Sequence, residues 1–334
     1  MMLIPQINVH RPNLFGECPV TTAVHALASA GIEQRGAVFT RREVVEFLLD
    51  LTGYTTDRPL ASMRLLEPSF GGGDFLIPAI HRLLASWRKA GRPEPCRLLA
   101  NAIRAVELHR DSFVETRDKV IAHLKNGGLT ASEAHNLADQ WLVFGDFLLV
   151  DLDEGFDVVV GNPPYVRQEM IAEALMAEYR ARYRTIYDRA DIYVPFIERS
   201  LETLKPGGHV GFICADRWMK NRYGGPLRDL VAKRFHLKTY VDMVDTPAFL
   251  SAVSAYPAIT VIANEPAQAT RIAHRPEIDA DALAALARTL TSRDSPTANS
   301  GVKELRGVTA GSEPWILESL DQLALVRRLE KFFP

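Results

Sequence analysis

The chain is poor in the features that mark several large protein classes. It holds three cysteines in 334 residues, Cys18, Cys96 and Cys214. They are far apart, odd in number and outside any CxxC or Cys/His cluster, which argues against a disulfide frame and against a zinc site. A reducing cytoplasm suits such a chain. No apolar run approaches the roughly 18 residues of a bilayer span. The opening MMLIPQINVHRPN has no basic stretch followed by an apolar one, so neither a membrane partner nor a secretion signal is expected. There is no basic surplus either: formal net charge is -2, so a nucleic-acid partner would have to meet a local patch rather than the whole surface. Internal repeats are absent, which excludes a solenoid.

What is present suits a globular domain with a real core. Hydrophobic residues make up 47% of the chain, enough for one large or two ordinary domains. Residues 20–30 read as a helix stopped by Gly31. Thr40, with Glu43 three residues on, reads as the N-cap and capping box of a helix over 41–51. Short apolar runs then alternate with helical stretches: LLE before a glycine-rich turn and a helix, AIRAVEL, helices at 110–125 and 130–140, WLVF, FDVVVG, a helix over 191–204 ended by KPGG, and HVGFICA. LKTYVDMV and AITVIAN follow, close enough to pair antiparallel at one edge. Alternation of this kind predicts an α/β fold with a mostly parallel central sheet, helices on both faces and an antiparallel edge strand. Composition shifts near Asn264, so residues 1–265 are expected to form one domain. Residues 266–334 are expected to be a linker, with a short helix at 279–290, and the start of a C-terminal region that opens with the helix PWILESLDQLALVRRLEKFF. From Arg217 to Lys238 the chain carries Arg217, Lys220, Arg222, Arg228, Lys233, Arg234 and Lys238 against Asp229 alone. A solvated helix face and a phosphate-facing surface explain that run equally well.

The residues that carry chemistry cluster after strands. In Glu67-Pro68-Ser69-Phe70-Gly71-Gly72-Gly73-Asp74-Phe75, Gly71 and Gly73 join a strand to a helix and let backbone approach a ligand closely. The third glycine of a dinucleotide fingerprint is missing, which disfavours nicotinamide binding. Glu107 ends the next strand, where a carboxylate can accept hydrogen bonds from both hydroxyls of a ribose. Gly145-Asp146-Phe147 offers an acceptor for an amino group and a ring to stack on. Taken singly, each is explained as well by a turn, a cap or a paired carboxylate. Together they lie where open α/β sheets bind ligands. Asn162-Pro163-Pro164-Tyr165 follows the strand FDVVV. Two prolines force the chain out of the sheet in a stiff, extended form. The asparagine amide oxygen and a carbonyl preceding a proline are then two acceptors that can be aimed at one –NH2 group, and Tyr165 adds a flat face.

LLEPSFGGGDF, AVEL, GDF and GNPPY, in that order, resemble class I methyltransferases with a Rossmann-like fold. The match is closest to the gamma-type, Taq I-like adenine-N6 DNA methyltransferases of restriction-modification systems. RGAVFTRREVVEFLLDL and DIYVPFIERSLETLKPGGHVGFICADRWM extend the resemblance over about residues 35–265. It implies S-adenosyl-L-methionine as cofactor, with Thr40 at its carboxylate and Glu67, Ser69, Gly71 and Gly73 along its methionine part. Glu107 would hold the ribose, Leu108 and Phe147 would sandwich the adenine, and Asp146 would accept from its amino group. It further implies that Asn162 and the Pro163 carbonyl hold the target amino group, that Pro164 stiffens the turn, and that Tyr165 and a second aromatic stack on a flipped base. Phe249 fits that second place best, with Tyr256 the alternative. Arg167, Arg217, Lys220 and Arg222 would face the DNA backbone. A restriction endonuclease is an implied partner, and a target-recognition domain is not expected within 266–334. Methylation of a protein glutamine, methylation of an RNA amino group and a non-catalytic nucleic-acid-binding subunit are the competing readings. No metal is implied.

Overall fold

The computed structural model describes residues 18–31, 38–251, 256–309 and 311–317. In chain order the elements are α1 (Pro19–Ala28), α2 (Arg42–Leu51), β1 (Leu65–Glu67), α3 (Leu76–Lys89), α4 (Pro95–Leu98), β2 (Ile103–Glu107), α5 (Arg110–Asn126), α6 (Ala131–Trp141), β3 (Leu142–Phe144) and β4 (Phe156–Gly161). They continue with α7 (Glu173–Arg182), α8 (Tyr193–Glu202), β5 (Leu204–Ala215), α9 (Arg217–Lys220), α10 (Gly225–Arg234), β6 (His236–Asp242), β7 (Pro257–Ala263), β8 (Thr270–His274), α11 (Ala280–Thr291) and β9 (Lys303–Leu305).

The strands form one sheet in the order β3-β2-β1-β4-β5-β7-β6-β8-β9. β1 through β5 run parallel. β7 is antiparallel to both β5 and β6, and β9 is antiparallel to β8. Alternation along each strand divides the core between two faces. Val158 and Val160 of β4 join Leu48, Ile80, Val120 and Leu283 on one side. Val159, between them, joins Phe196, Leu201, Leu227 and Val231 on the other. The order of the parallel strands reverses between β1 and β4, so the chain leaves those two carboxyl ends in diverging directions and opens a crevice there. Glu67 ends one of these strands and Asn162 follows the other.

Several expectations need correction. Thr40 is not a helix cap: the N-cap is Arg41, in extended backbone, and no side chain caps α2. The Thr40 hydroxyl and amide have partners elsewhere, described below. A capping box does occur at Thr130 and Glu133, before α6. KPGG does not stop a helix. α8 ends at Glu202, and Lys205–Gly208 lies within β5, where the pairing with β4 shifts register. β6 and β7 pair antiparallel as expected but inside the sheet; the antiparallel edge strand is β9. The sheet therefore runs past residue 265 through β8 and β9, and α11 packs back on α2. α7 had no counterpart in the sequence reading, its polar and apolar residues being too evenly mixed to mark a face. The helix expected from residue 314 lies, from 318 onward, outside the described residues. Before that point Trp315 stacks edge-on against Trp218 at 5.4 Å, and its backbone N–H bonds Met219.

Gly211 of β5 lies directly beneath α2. A Cβ there would come within 2.4 Å of Thr52 Cγ2 and 2.8 Å of Leu48 Cδ2. Gly211→Val should therefore destabilise the protein by about 1–3 kcal/mol through overpacking, seen as a lower urea midpoint with an unchanged slope.

Candidate active site

The glycine turn after β1 is held in shape by neighbouring strands and helices. Gly71 and Gly73 have φ of 48° and 89°, conformations that favour glycine. The Gly71 N–H donates to Glu107 Oε2 at 2.7 Å, and Thr116 Oγ1 donates to the Gly71 carbonyl at 2.7 Å. Glu107 Oε1 accepts the N–H of His109 at 2.6 Å. Glu107 thus sits at the carboxyl end of β2 with both oxygens anchored.

Two adjoining cavities meet at Ser69, Glu107 and Pro164. The first is lined by Thr40, Glu67, Ser69, Gly71, Asp74 and Asn162, among others. It contains three carboxylates, and its described lining residues include no lysine or arginine. Glu67 is 1% exposed and its Oε2 has no hydrogen-bond partner among the described residues. Burial, with Asp74 and Glu107 adding repulsion, pushes its carboxyl well above the usual range. Asp74 is raised by burial too, opposed by the Thr40 amide and by Lys119. Such a cavity suits a cationic ligand.

The second cavity is mostly apolar, with Leu27, Leu108, Phe147, Ile192 and Phe196 around Asp146. Phe147 packs on Phe196 with ring centres 5.0 Å apart. Asp146 is buried and accepts from Leu148 N at 2.9 Å and from the Tyr179 hydroxyl. Burial raises its carboxyl despite these bonds. Flat apolar walls around one acceptor suit a purine ring bearing an amino group.

Asn162 lines the first cavity. Its Nδ2 donates to the Val38 carbonyl at 2.9 Å and reaches Thr40 Oγ1 at 3.3 Å. The Val38 oxygen can only accept, so it selects the amide orientation and turns Oδ1 away from these two groups. Oδ1 is buried and without a partner among the described residues. Pro163 is buried, and Pro164 lines both cavities. Tyr165 lies 6.5 Å from the Tyr193 ring, and its hydroxyl is also buried with no partner among the described residues.

The remaining predicted residues fall into two groups. Phe249 is brought to this site by an antiparallel bridge between its backbone and that of Thr40, and is 8% exposed. Tyr256 is 53% exposed, with the Arg217 guanidinium 5.3 Å from its ring centre. Arg167, Arg217 and Arg222 are exposed and have no ion pair among the described residues, whereas Lys220 pairs with Asp216 at 2.7 Å. The basic run is not one surface. Arg228 is buried, donating to the carbonyls of Trp218, Asn221 and Ser312, and Lys233, Arg234 and Lys238 lie against acids. Sequence reasoning missed Asp74, Tyr179, Leu27 and Phe196 as lining residues. Asp74 had a local signal, its place directly after three glycines. The others reach the site only through packing of α1, α7 and α8.

Glu67 gives a test through stability. A carboxyl whose pKa is raised on folding holds its proton more tightly in the folded chain than in the unfolded one. Its contribution is complete below the unfolded value of about 4.3 and is lost as pH rises through the folded value. Glu67→Gln should therefore raise the thermal midpoint of the unliganded protein at about pH 8, and the difference should vanish near about pH 4. Differential scanning calorimetry across that range checks it.

Comparison with known proteins agrees with this geometry. Residues 81–249, half of the chain, match the Eco57I restriction-modification methylase family. The chain is 61% identical over 337 residues to the Type II methyltransferase M.PaeR7I of Pseudomonas aeruginosa, covering 100% of this chain and 58% of that protein. It is 53% identical over 308 residues to the Type II methyltransferase M.XhoI of Xanthomonas vasicola, covering 90% and 56%. It thus spans somewhat more than half the length of these relatives. A Listeria monocytogenes protein described as a class I S-adenosylmethionine-dependent methyltransferase shares the fold, with a TM-score of 0.54 at 14% identity over 76% of this chain and 71% of that one. The crevice between β1 and β4 is accordingly that of a methyltransferase fold, and the chain belongs to the Eco57I restriction-modification methylase family.

Proposed function

We propose that this chain is the catalytic part of a restriction-modification DNA methyltransferase, directing a methyl group from S-adenosyl-L-methionine to the N6 amino group of adenine in duplex DNA. The observation that carries the reading is the Asn162 Oδ1, buried and without a partner among the described residues, on a side chain that lines an acidic cavity. An acceptor left unpaired there costs free energy until a donor arrives, and an exocyclic amino group supplies one. The Pro163 carbonyl is the second acceptor. Together they orient the nitrogen so that its lone pair faces into the cavity.

The residues fit the cofactor. Glu67 and Ser69 would meet its charged methionine part, with the backbone of Gly71 and Gly73 allowing close approach. Glu107 would accept from the ribose, and Asp146, between Leu108 and Phe147, would hold the adenine. Thr40 reaches this ligand only through the wall it forms. When bound, the cofactor supplies a methyl group on a positive sulfur, electrophilic without further activation. The protein's work is then to align and to exclude water. A base within a duplex cannot reach Asn162, so the target must leave the stack; Tyr165 and Phe249 are the aromatics that would receive it. Arg167, Arg217 and Arg222, which have no ion pair among the described residues, would meet phosphates, with Lys220 beside them. A target-recognition domain and an endonuclease are the partners this reading implies.

The test is methyl transfer from labelled S-adenosyl-L-methionine to mixed duplex DNA, using a chain of the length found in the relatives. The expected product is N6-methyladenine, and Asn162→Ala should slow its formation on the order of a hundredfold with cofactor affinity retained. Label found only in RNA or in protein glutamine would replace this reading with one of its competitors.

A further inference from the structure

Asn162 can orient a target nitrogen only while its own amide is held in place. Its two anchors, the Val38 carbonyl and the Thr40 hydroxyl, belong to a short extended segment, 38–40, just before α2. No regular element contains this segment, so its position depends on a few ties. On one side it meets the β6–β7 connection: Arg41 N–H donates to the Ala248 carbonyl, and Leu250 N–H to the Phe39 carbonyl, each at 3.0 Å. On the other side, among the described residues, it has a single hydrogen bond from a backbone group to the glycine turn, from Thr40 N–H to Asp74 Oδ2 at 3.0 Å. Phe39 packs over the same turn, where a Cβ on Gly72 would lie 3.4 Å from its ring.

From this geometry we infer that Asp74 is a positioning residue: through Thr40 it holds segment 38–40 against the glycine turn and thereby fixes the Asn162 amide with its acceptor toward the target nitrogen. The inference rests on the function proposed above. A carboxylate accepting a backbone N–H makes a stronger bond than a neutral acceptor, and this one is partly buried, where solvent competes less. Without it, among the described residues, the segment is held to the glycine turn by the packing of Phe39 alone. Val38 and Thr40 can then drift from Asn162, and loss of a few tenths of an ångström in alignment slows transfer more than it weakens binding. The tie also links the two halves of the site. The turn that lines the cofactor cavity and the residue that receives the base become one hydrogen-bonded unit.

Two readouts test this on the full-length protein, with Asp74→Ala and Asp74→Asn compared. Asparagine keeps an acceptor within reach of the Thr40 N–H while removing the charge. By hydrogen-exchange mass spectrometry, which needs no turnover, Asp74→Ala should speed exchange of the Thr40 amide while Asp74→Asn protects it. In single-turnover methyl transfer, Asp74→Ala should be slower by about tenfold, with S-adenosyl-L-methionine affinity changed far less, and Asp74→Asn should recover most of the rate. If Asp74→Ala does not fold, Thr40→Val breaks the next link and should show the same split of rate from affinity. Cofactor affinity falling in step with rate would overturn the proposal in favour of a direct cofactor ligand. Wild-type exchange and rate in Asp74→Ala, or a wild-type rate in Thr40→Val, would overturn it outright, as would an asparagine variant no better than alanine. A wild-type protein that transfers nothing to DNA, yet shows the expected exchange pattern, would instead count against the function proposed above.

Discussion

A side-chain amide has two hydrogen-bonding ends, and fixing one decides where the other points. The Nδ2 of Asn162 faces the Val38 carbonyl, which cannot donate, so its oxygen is turned away from Val38 and is left buried with no partner among the described residues. Leaving that oxygen buried and unpaired costs on the order of 1–3 kcal/mol. The fold meets this cost with the sheet on either side of it. β1 and β4 are both buried on both faces, and their carboxyl ends diverge where the strand order reverses, so Glu67 and Asn162 are brought side by side from residues far apart in sequence. Asp74, Glu107 and Thr40 add hydrogen bonds within the ring of residues that surrounds the crevice.

The electrostatics of that ring follow from the same placement. Three carboxylates share one cavity, and Glu67, the deepest, has no donor among the described residues. Desolvation and like charge both disfavour its ionised form. A cavity of this kind is unfavourable when unliganded and favourable toward a cation. Its apolar neighbour, by contrast, keeps Asp146 in place by two hydrogen bonds and surrounds it with rings. Charged and flat parts of a ligand are thus sorted into separate compartments joined at Ser69, Glu107 and Pro164.

The glycine turn, the carboxylate ending β2, the Gly-Asp-Phe after β3 and the Asn-Pro-Pro-Tyr after β4 were legible in the linear chain, because each is a local device. A turn needs glycines at fixed positions, and a strand end needs an apolar run before it. The parallel half of the sheet was legible for the same reason. Three things were not. Thr40 looks like a helix cap in sequence, but a long-range partner, Asn162, competes for its hydroxyl, and Asp74 competes for its amide. Lys205–Gly208 looks like a helix stop, yet pairing with β4 draws it into a strand. Arg228 sits in a run of surface-like cations, but three carbonyls enclose it.

What the sequence determined by itself is the chemistry on offer: which acceptors, rings and carboxylates stand at strand ends, and in what order. These follow from periodicity and turn stereochemistry, which act over a few residues. What only the tertiary structure decided is their orientation: that the Asn162 amide turns its nitrogen to Val38 and Thr40, that Glu67 is buried without a donor among the described residues, that Asp74 holds Thr40, and that Tyr179 supports Asp146. Each depends on contacts between residues more than 30 positions apart, whose geometry is set by how strands pair and helices pack, and no local pattern encodes it.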